Sequence, residues 1–385
     1  MEAEQKVAHV GLDCHKTFSR VTARSAENRV LWRARWEHRD RRALREQLRR
    51  LPPGNPVVLE GTFGWAWMTD ELEAGGLCPL LASSRKLAGR RQARGLAKCN
   101  RLDADLLSEL PAERTRWWAI WLPPQEVRQR REWLRYRMAL VRTQTALKNR
   151  VHGLLHQHGI ILDVSDIFQG AGRRALQRLV GPAASALPPS TRAALRGYLQ
   201  LLDHVRRQIA TVTREFRRQV ARHPVAERLR TIPGLAYILA YTILAEVGDF
   251  DRFPDARHLA SYSLLAPRAD ESGDEDESNP RGRHLGRAGR RTLKWAWIEA
   301  AHSAVRSGGV WRALFDAHTD GGQRNRRHGV IRVAHRLCMV AFACQREAHD
   351  YQPVPPPRPG SPATRRRSKR PGPGQPNVAM VPASS

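Results

Sequence analysis

A chain of 385 residues has room for two or three domains, each with its own core. Hydrophobic residues make up 41%, which excludes a chain disordered throughout, and 66 Lys and Arg against 37 Asp and Glu give a formal charge of +29. Such an excess makes a polyanion the expected partner, nucleic acid ahead of an anionic membrane surface.

The first stretch, Val7 to Asp13, reads as a strand that ends in a carboxylate and is followed by Cys14, His15 and Lys16. Phe18–Ala23 and Arg29–Trp36 read as two further strands. In the latter, Val30, Trp32, Ala34 and Trp36 alternate with Leu31, Arg33 and Arg35. Asp40–Leu51 is expected to be helical, Val57–Glu60 a short buried strand, Trp65–Ala74 an amphipathic helix and Leu77–Leu81 another strand. Three meandering strands followed by alternating helix and strand predict a mixed α/β sheet with helices packed on it.

Leu96–Leu107 reads as a helix that places Asn100 and Asp103 on one face, with Asp105 turned elsewhere. Taken alone, Asp13 is an ordinary turn cap and Asn100 with Asp103 a solvated helix face. Together with Glu60, Asp13 and Asp103 supply three carboxylates from a first strand, a later strand end and a helix. Two-metal phosphoryl-transfer sites need such a set, and hard oxygen ligands suit Mg²⁺.

Pro123 and Pro124 close this region. Gln125–Gly159 is a long basic helical run in which Trp133, Leu134, Met138, Val141, Leu147, Val151, Leu154 and Leu155 recur at helical spacing. Pro189–Val220, with Leu199, Leu201, Leu202, Val205 and Ile209, is expected to fold back on it as a coiled coil. Gly170–Gly172 and Pro182–Pro188 read as connecting loops. Beyond Val225, Ile232–Pro233–Gly234 leads into the apolar helix Tyr237–Val247, and Asp255–Tyr262 is a further helix. This is a helix-hairpin-helix-like arrangement, equally open to phosphate contact and to plain helix packing. A loop rich in Arg and Gly follows, with Arg281, Arg283, Arg287, Arg290 and Arg291. Together with Lys148 and Arg150, these are the expected nucleic-acid contacts. Helices are expected at Thr292–Ala304 and Arg332–Cys344, and the Pro- and Arg-rich residues 351–385 as a disordered basic tail. The four regions are thus 1–122, 123–220, 221–350 and 351–385. Cys14, Cys78, Cys99, Cys338 and Cys344 include no Cys-x-x-Cys pair, which argues against a zinc site and a disulfide framework. With no signal peptide and no run of about 18 apolar residues, a cytoplasmic protein without membrane spans is expected.

In this order, the motifs resemble the insertion-sequence-110 family of transposases. The resemblance is carried by Val10–Gly11–Leu12–Asp13–Cys14–His15–Lys16, Glu60–Gly61–Thr62–Phe63–Gly64 and Lys98–Cys99–Asn100–Arg101–Leu102–Asp103–Ala104. Leu147–Lys148–Asn149–Arg150–Val151–His152 extends it through the middle of the chain. Ile232–Pro233–Gly234, Ala245–Glu246–Val247–Gly248–Asp249, Leu259–Ala260–Ser261–Tyr262 and Ser272–Gly273 carry it towards the C-terminus. The resemblance implies an N-terminal RuvC-like domain with a DEDD acidic set and a C-terminal transposase domain with a serine nucleophile. It further implies Mg²⁺, donor and target DNA, a bridge RNA that pairs with both, and a homo-oligomer in the cytoplasm at the nucleoid. Carried over, Asp13, Glu60 and Asp103 hold the metal, Asn100 takes the remaining acidic position, and Ser272 attacks the phosphate. The sequence departs from the family in two places. Asn100 is neutral, and Ser272 stands among Asp270, Glu271, Asp274, Glu275, Asp276 and Glu277, which leaves Ser278 as a second candidate nucleophile. Two other classes remain: a RuvC-like nuclease that hydrolyses DNA without a protein nucleophile, and a nucleic-acid-binding protein whose site has decayed.

Overall fold

A computed structural model describes residues 6–95, 100–181, 187–266 and 289–353. Ser272, Ser278, Arg281, Arg283, Arg287 and nearly all of the expected tail lie outside the described residues. The chain divides into two compact units, Met1–Glu215 with Ala245–Gly248, and Phe216–Leu244 with Asp249–Ser385.

The first unit is built on strands β1 (His9–Cys14), β2 (Phe18–Arg24) and β3 (Val30–Glu37), then α1 (Arg41–Arg49), β4 (Pro56–Glu60), α2 (Trp65–Ala74) and β5 (Cys78–Ala82). It continues through α3 (Ser84–Ala93), α4 (Asn100–Glu109), a single 3₁₀ turn Leu110–Ala112 and β6 (Ala119–Ile120). The sheet order is β3-β2-β1-β4-β5-β6. β1 pairs antiparallel with β2 and parallel with β4, β4 runs parallel to β5, and β6 is antiparallel to β5. The expected mixed sheet is therefore present. Sequence reading had not found α3, where Gly89 and a dense run of Arg hide the apolar period, or β6, which is only two residues long.

Side chains alternate across a strand, so each face of the sheet has its own core. Val10, Leu12, Val57 and Leu59 pack with Leu44 and Leu48 of α1 and Met68 and Leu72 of α2. On the other face Val58 and Ala82 pack with Leu87 of α3 and Leu106 and Leu107 of α4, together with Trp118. At about 1.5–3 kcal/mol for each buried Leu, Val or Met, these two layers hold the sheet between its helices.

Two 33-residue helices follow, α5 (Gln125–Gln157) and α7 (Pro189–Ala221), separated by α6 (Gly170–Leu179). As expected, they fold back on one another: Leu147, Val151 and Leu155 share a core with Leu195, Leu199, Leu202 and Val205. Three expectations fail. Gly170–Gly172 opens a helix rather than a loop, because Leu176 at the centre of that helix is fully buried in the same core and pins it there. Trp133 and Leu201 stay exposed, since each lies off the buried stripe of its helix.

The second unit is helical: α8 (Pro224–Arg230), α9 (Tyr237–Val247, whose last turn belongs to the first unit), α10 (Ala256–Tyr262), α11 (Arg291–Ser307), α12 (Gly309–Asp316) and α13 (Arg326–Arg346). The turn between α8 and α9 carries Gly234 at φ +89°, where a Cβ would lie 2.3 Å from the carbonyl oxygen of Ala300 on α11. Of the two roles open to this turn, helix packing is the one that requires the glycine. Trp297 of α11 is fully buried and donates from Nε1 to Ser263 Oγ at 3.2 Å. No helix among the described residues is long and apolar enough to cross a membrane.

Candidate active site

Strand alternation decides which way the carboxylates face. Val10 and Leu12 point into one core, so Gly11 and Asp13 point to the opposite face, towards α4. In the parallel register Gly11 lies beside Val58 and Leu12 beside Leu59, so Glu60 follows on β4 at the level of Asp13 on β1. Both lie in the last two residues of their strands, at the C-terminal edge where ligands of parallel sheets are commonly bound. The third group arrives because α4 lies directly on β1. A Cβ on Gly11 would stand 2.2 Å from Ser108 N and 2.3 Å from Ala104 O. Only glycine admits that approach, which brings Asp103, one residue before Ala104, to the same edge.

Asp13 is 8% exposed and Asp103 6%. Burial raises the Asp13 pKa; His15 pulls it down, and the negative charges of Asp103 and Glu60 push it up again, leaving it above the ordinary value. The three expected carboxylates therefore sense one another. Two side chains stand against them in the structure. His15 Nε2 stands 2.9 Å from Asp13 Oδ2, an ion pair when the ring is protonated, and Arg91 Nη1 of α3 donates to Asp103 Oδ1 at 2.6 Å. Neither Asp13 Oδ2 nor His15 Nε2, both buried, makes a well-angled hydrogen bond. Opposite Asp13 in the antiparallel pair lies Arg20 of β2, with its side chain exposed.

As the side chains stand, no three His, Cys, Asp or Glu among the described residues converge into a ligand cluster. The donor set nevertheless fits a hard divalent ion: two nearly buried carboxylates, a third beside them, and one buried oxygen without a hydrogen bond. Asn100 begins α4, one turn before Asp103.

Asp105 is used elsewhere. It accepts from Thr22 Oγ1 at 2.7 Å and from Arg33 Nε and Nη2 at 2.9 and 3.0 Å. Alongside, Arg24 of β2 donates from Nε to Ser108 Oγ at 2.7 Å and pairs with Glu109 at 3.2 Å. These bonds lock α4 onto β2 and β3 and so fix Asp103 beside Asp13.

The remaining expected contacts are dispersed. Lys148 lies over the Phe168 ring at 5.1 Å, Arg150 is exposed on α5, Arg290 donates to the Tyr262 hydroxyl at 3.0 Å, and Arg291 is exposed at the start of α11. Three residues near the carboxylates were missed in the sequence: His15, Arg91 and Phe63. A His two residues after a strand-end Asp was a readable signal. Arg91 was not, being one of many Arg. Phe63 is 78% exposed on the loop that follows Glu60.

Comparison with known proteins places the second unit. Residues 226–316 match the model of the transposase IS116/IS110/IS902 family. The chain is 32% identical over 130 residues to an uncharacterized 43.6 kDa protein of insertion element IS110 from Streptomyces coelicolor, covering 34% of this chain and 31% of that one. It is 30% identical over 146 residues to the transposase for insertion sequence element IS1111A from Coxiella burnetii, covering 37% and 38%. The match to the transposase for insertion sequence element IS1328 from Yersinia enterocolitica is 26% over 272 residues, 69% of this chain and 76% of that one. The first two matches thus span about a third of the relatives' own length, and the third runs through most of both chains. By these matches, residues 226–316 are similar to the transposase domain of the IS116/IS110/IS902 family, and most of the chain is similar to a transposase of an insertion sequence.

Proposed function

We propose that this protein cuts and rejoins DNA strands, with Asp13, Glu60, Asp103 and Asn100 holding Mg²⁺ and Ser272 attacking the phosphate. The observation that carries this reading is the placement of Asp13, Glu60 and Asp103 at the C-terminal ends of β1 and β4, where burial first, and then the negative charges of Asp103 and Glu60, raise the Asp13 pKa. A cation offsets those charges. When bound, a divalent ion supplies positive charge that stabilises the transition state of phosphoryl transfer. The strand order 3-2-1-4-5, with the acidic set at its centre, supports a RuvC-like first domain.

The chain's own residues have separable roles. β1 and β4 fix Asp13 and Glu60, and α4 brings Asp103, with the Asn100 carbonyl oxygen as the weaker fourth ligand. Arg91 and Arg20 are cations next to the carboxylates, suited to phosphate oxygens. In the transfer itself the Ser272 hydroxyl releases its proton and its oxygen bonds to phosphorus as one phosphorus–oxygen bond to deoxyribose breaks. The departing sugar oxygen takes up a proton, and rejoining runs the step in reverse. The serine, the bridge RNA and the oligomer rest on the family resemblance, as does a location at the nucleoid.

The test uses the full-length protein with element-end DNA and Mg²⁺. Asp13→Ala abolishes strand cleavage. A covalent protein–DNA species forms with the parent protein, is lost in Ser272→Ala, and maps to Ser272 by mass spectrometry. Mapping to Ser278 moves the nucleophile. Cleavage without an adduct overturns the serine and leaves a hydrolytic nuclease. Sequencing of RNA that co-purifies with the protein tests the bridge RNA.

A further inference from the structure

Away from the acidic site, helices α11, α12 and α13 enclose a cleft of about 650 Å³. Its composition is one-sided. Lys294, His302 and Arg306 come from α11, Arg312 from α12, and Arg326 and Arg327 from the first turn of α13. Among the described residues, no Asp or Glu lines it. Of these cations, Arg312 has a carboxylate partner: Asp316 accepts from its Nε at 2.8 and 3.0 Å. Lys294 has no ion pair among the described residues, and burial lowers the pKa of its ammonium group. A half-buried cation without a counter-ion, facing further cations across a concave wall, is an unfavourable arrangement until an anion enters.

The floor has a different chemistry. Ile298 and Val305 lie on the same stripe of α11 as Lys294 and His302, and Val330 and Ile331 face them from α13. A flat basic face would serve duplex DNA, whose bases are stacked inside and whose phosphates are outside. A recess with an apolar floor and a cationic rim fits a nucleotide whose base is free. Pockets that bury molecules of this size measure about 300–1,000 Å³.

We infer that this cleft seats one unpaired nucleotide of a single-stranded nucleic acid, its base on Ile298, Val305, Val330 and Ile331 and its flanking phosphates on Lys294, Arg306 and Arg327. The duplex is disfavoured because seating one of its bases requires flipping it out, at a cost of about a few kcal/mol. This inference does not depend on the metal or serine assignments, since it concerns binding alone.

Binding is measured by fluorescence anisotropy on the full-length protein, with a short labelled oligothymidylate, the same strand as oligouridylate, and a duplex of equal length. Ile298→Trp fills the floor without changing charge. It is expected to weaken single-strand binding about tenfold, within the range seen for loss of one stacked base, and to leave duplex binding unchanged. Ile331→Trp repeats the test from α13, and a melting curve for each variant confirms folding. Arg306→Ala with Arg327→Ala weakens binding of every ligand and makes its salt dependence shallower. Photocrosslinking of a strand carrying 4-thiothymidine to the unaltered protein is expected to map to α11 or α13. The more tightly held of the DNA and RNA strands identifies the sugar. Equal losses on single strand and duplex in the Trp variants, or crosslinks mapping only to other elements, overturn the nucleotide seat. Strand cleavage is not the readout, so that result leaves the phosphoryl-transfer reading standing.

Discussion

The carbonyl oxygen of Ala104 passes Gly11 so closely that a Cβ there would lie 2.3 Å away. This single approach ties the helix that carries Asp103 to the strand that carries Asp13. The carboxylate set is thus a consequence of a packing contact two residues from one aspartate and one residue from the other.

Gly11→Ala therefore acts on both stability and site. Both obstructing groups, Ala104 O and Ser108 N, are backbone, so α4 must move as a body. A loss of about 1–3 kcal/mol is expected by urea denaturation, the cost typical of overpacking. If the proposed Mg²⁺ site is correct, cleavage should fall as well, because Asp103 is displaced.

Metal linkage gives a readout without catalysis. If Asp13, Glu60 and Asp103 share an ion, Mg²⁺ raises the melting temperature of the parent protein by binding the folded state. Asp13→Asn should lose that increment, and in metal-free buffer it should melt no lower than the parent, since it removes a buried charge held among like charges. An unchanged Mg²⁺ increment in the variant would falsify the shared site.

Asp105 provides the pH dependence. Burial raises its pKa, but hydrogen bonds from Arg33 and Thr22, with the nearby charges of Arg33 and Arg24, more than offset this and hold it below its ordinary value. A depressed carboxylate contributes stability above its unfolded pKa and loses it as pH falls through the folded one. Asp105→Asn should cost about 1 kcal/mol at neutral pH, because the Arg33 side is solvent-exposed and screened. The gap between the two proteins should close on acidification below the ordinary carboxylate range.

In the second unit, Gly234→Ala combines a left-handed φ of +89° with a contact 2.3 Å from Ala300 O. The expected result is a loss of about 1–3 kcal/mol. Hydrogen exchange should locate the loosened amides in α8, α9 and α11. Protection equal to that of the parent in those helices would sink the packing role assigned to this turn.

Phe63, exposed on the loop that follows Glu60, carries little of the fold. Phe63→Ala should change stability by less than about 0.5 kcal/mol. It should lower affinity for a single-stranded substrate if the ring stacks on a base, and unaltered affinity would leave Phe63 without a role.

Much was legible in the sequence because it is written in local periodicity. The alternation of Val30, Trp32, Ala34 and Trp36 marked β3, Pro and Gly punctuated α1 and β4, and the apolar stripe through Leu147, Val151 and Leu155 marked α5. The carboxylates Asp13 and Glu60 were visible as strand ends for the same reason. Arg91 as the partner of Asp103, α6 in place of a loop, and the cleft between α11 and α13 were not visible, because each depends on groups far apart in the chain. A strand's period fixes which residues share a face. It says nothing of which helix will cross that face, and that was decided by the room left where Gly11 has no side chain.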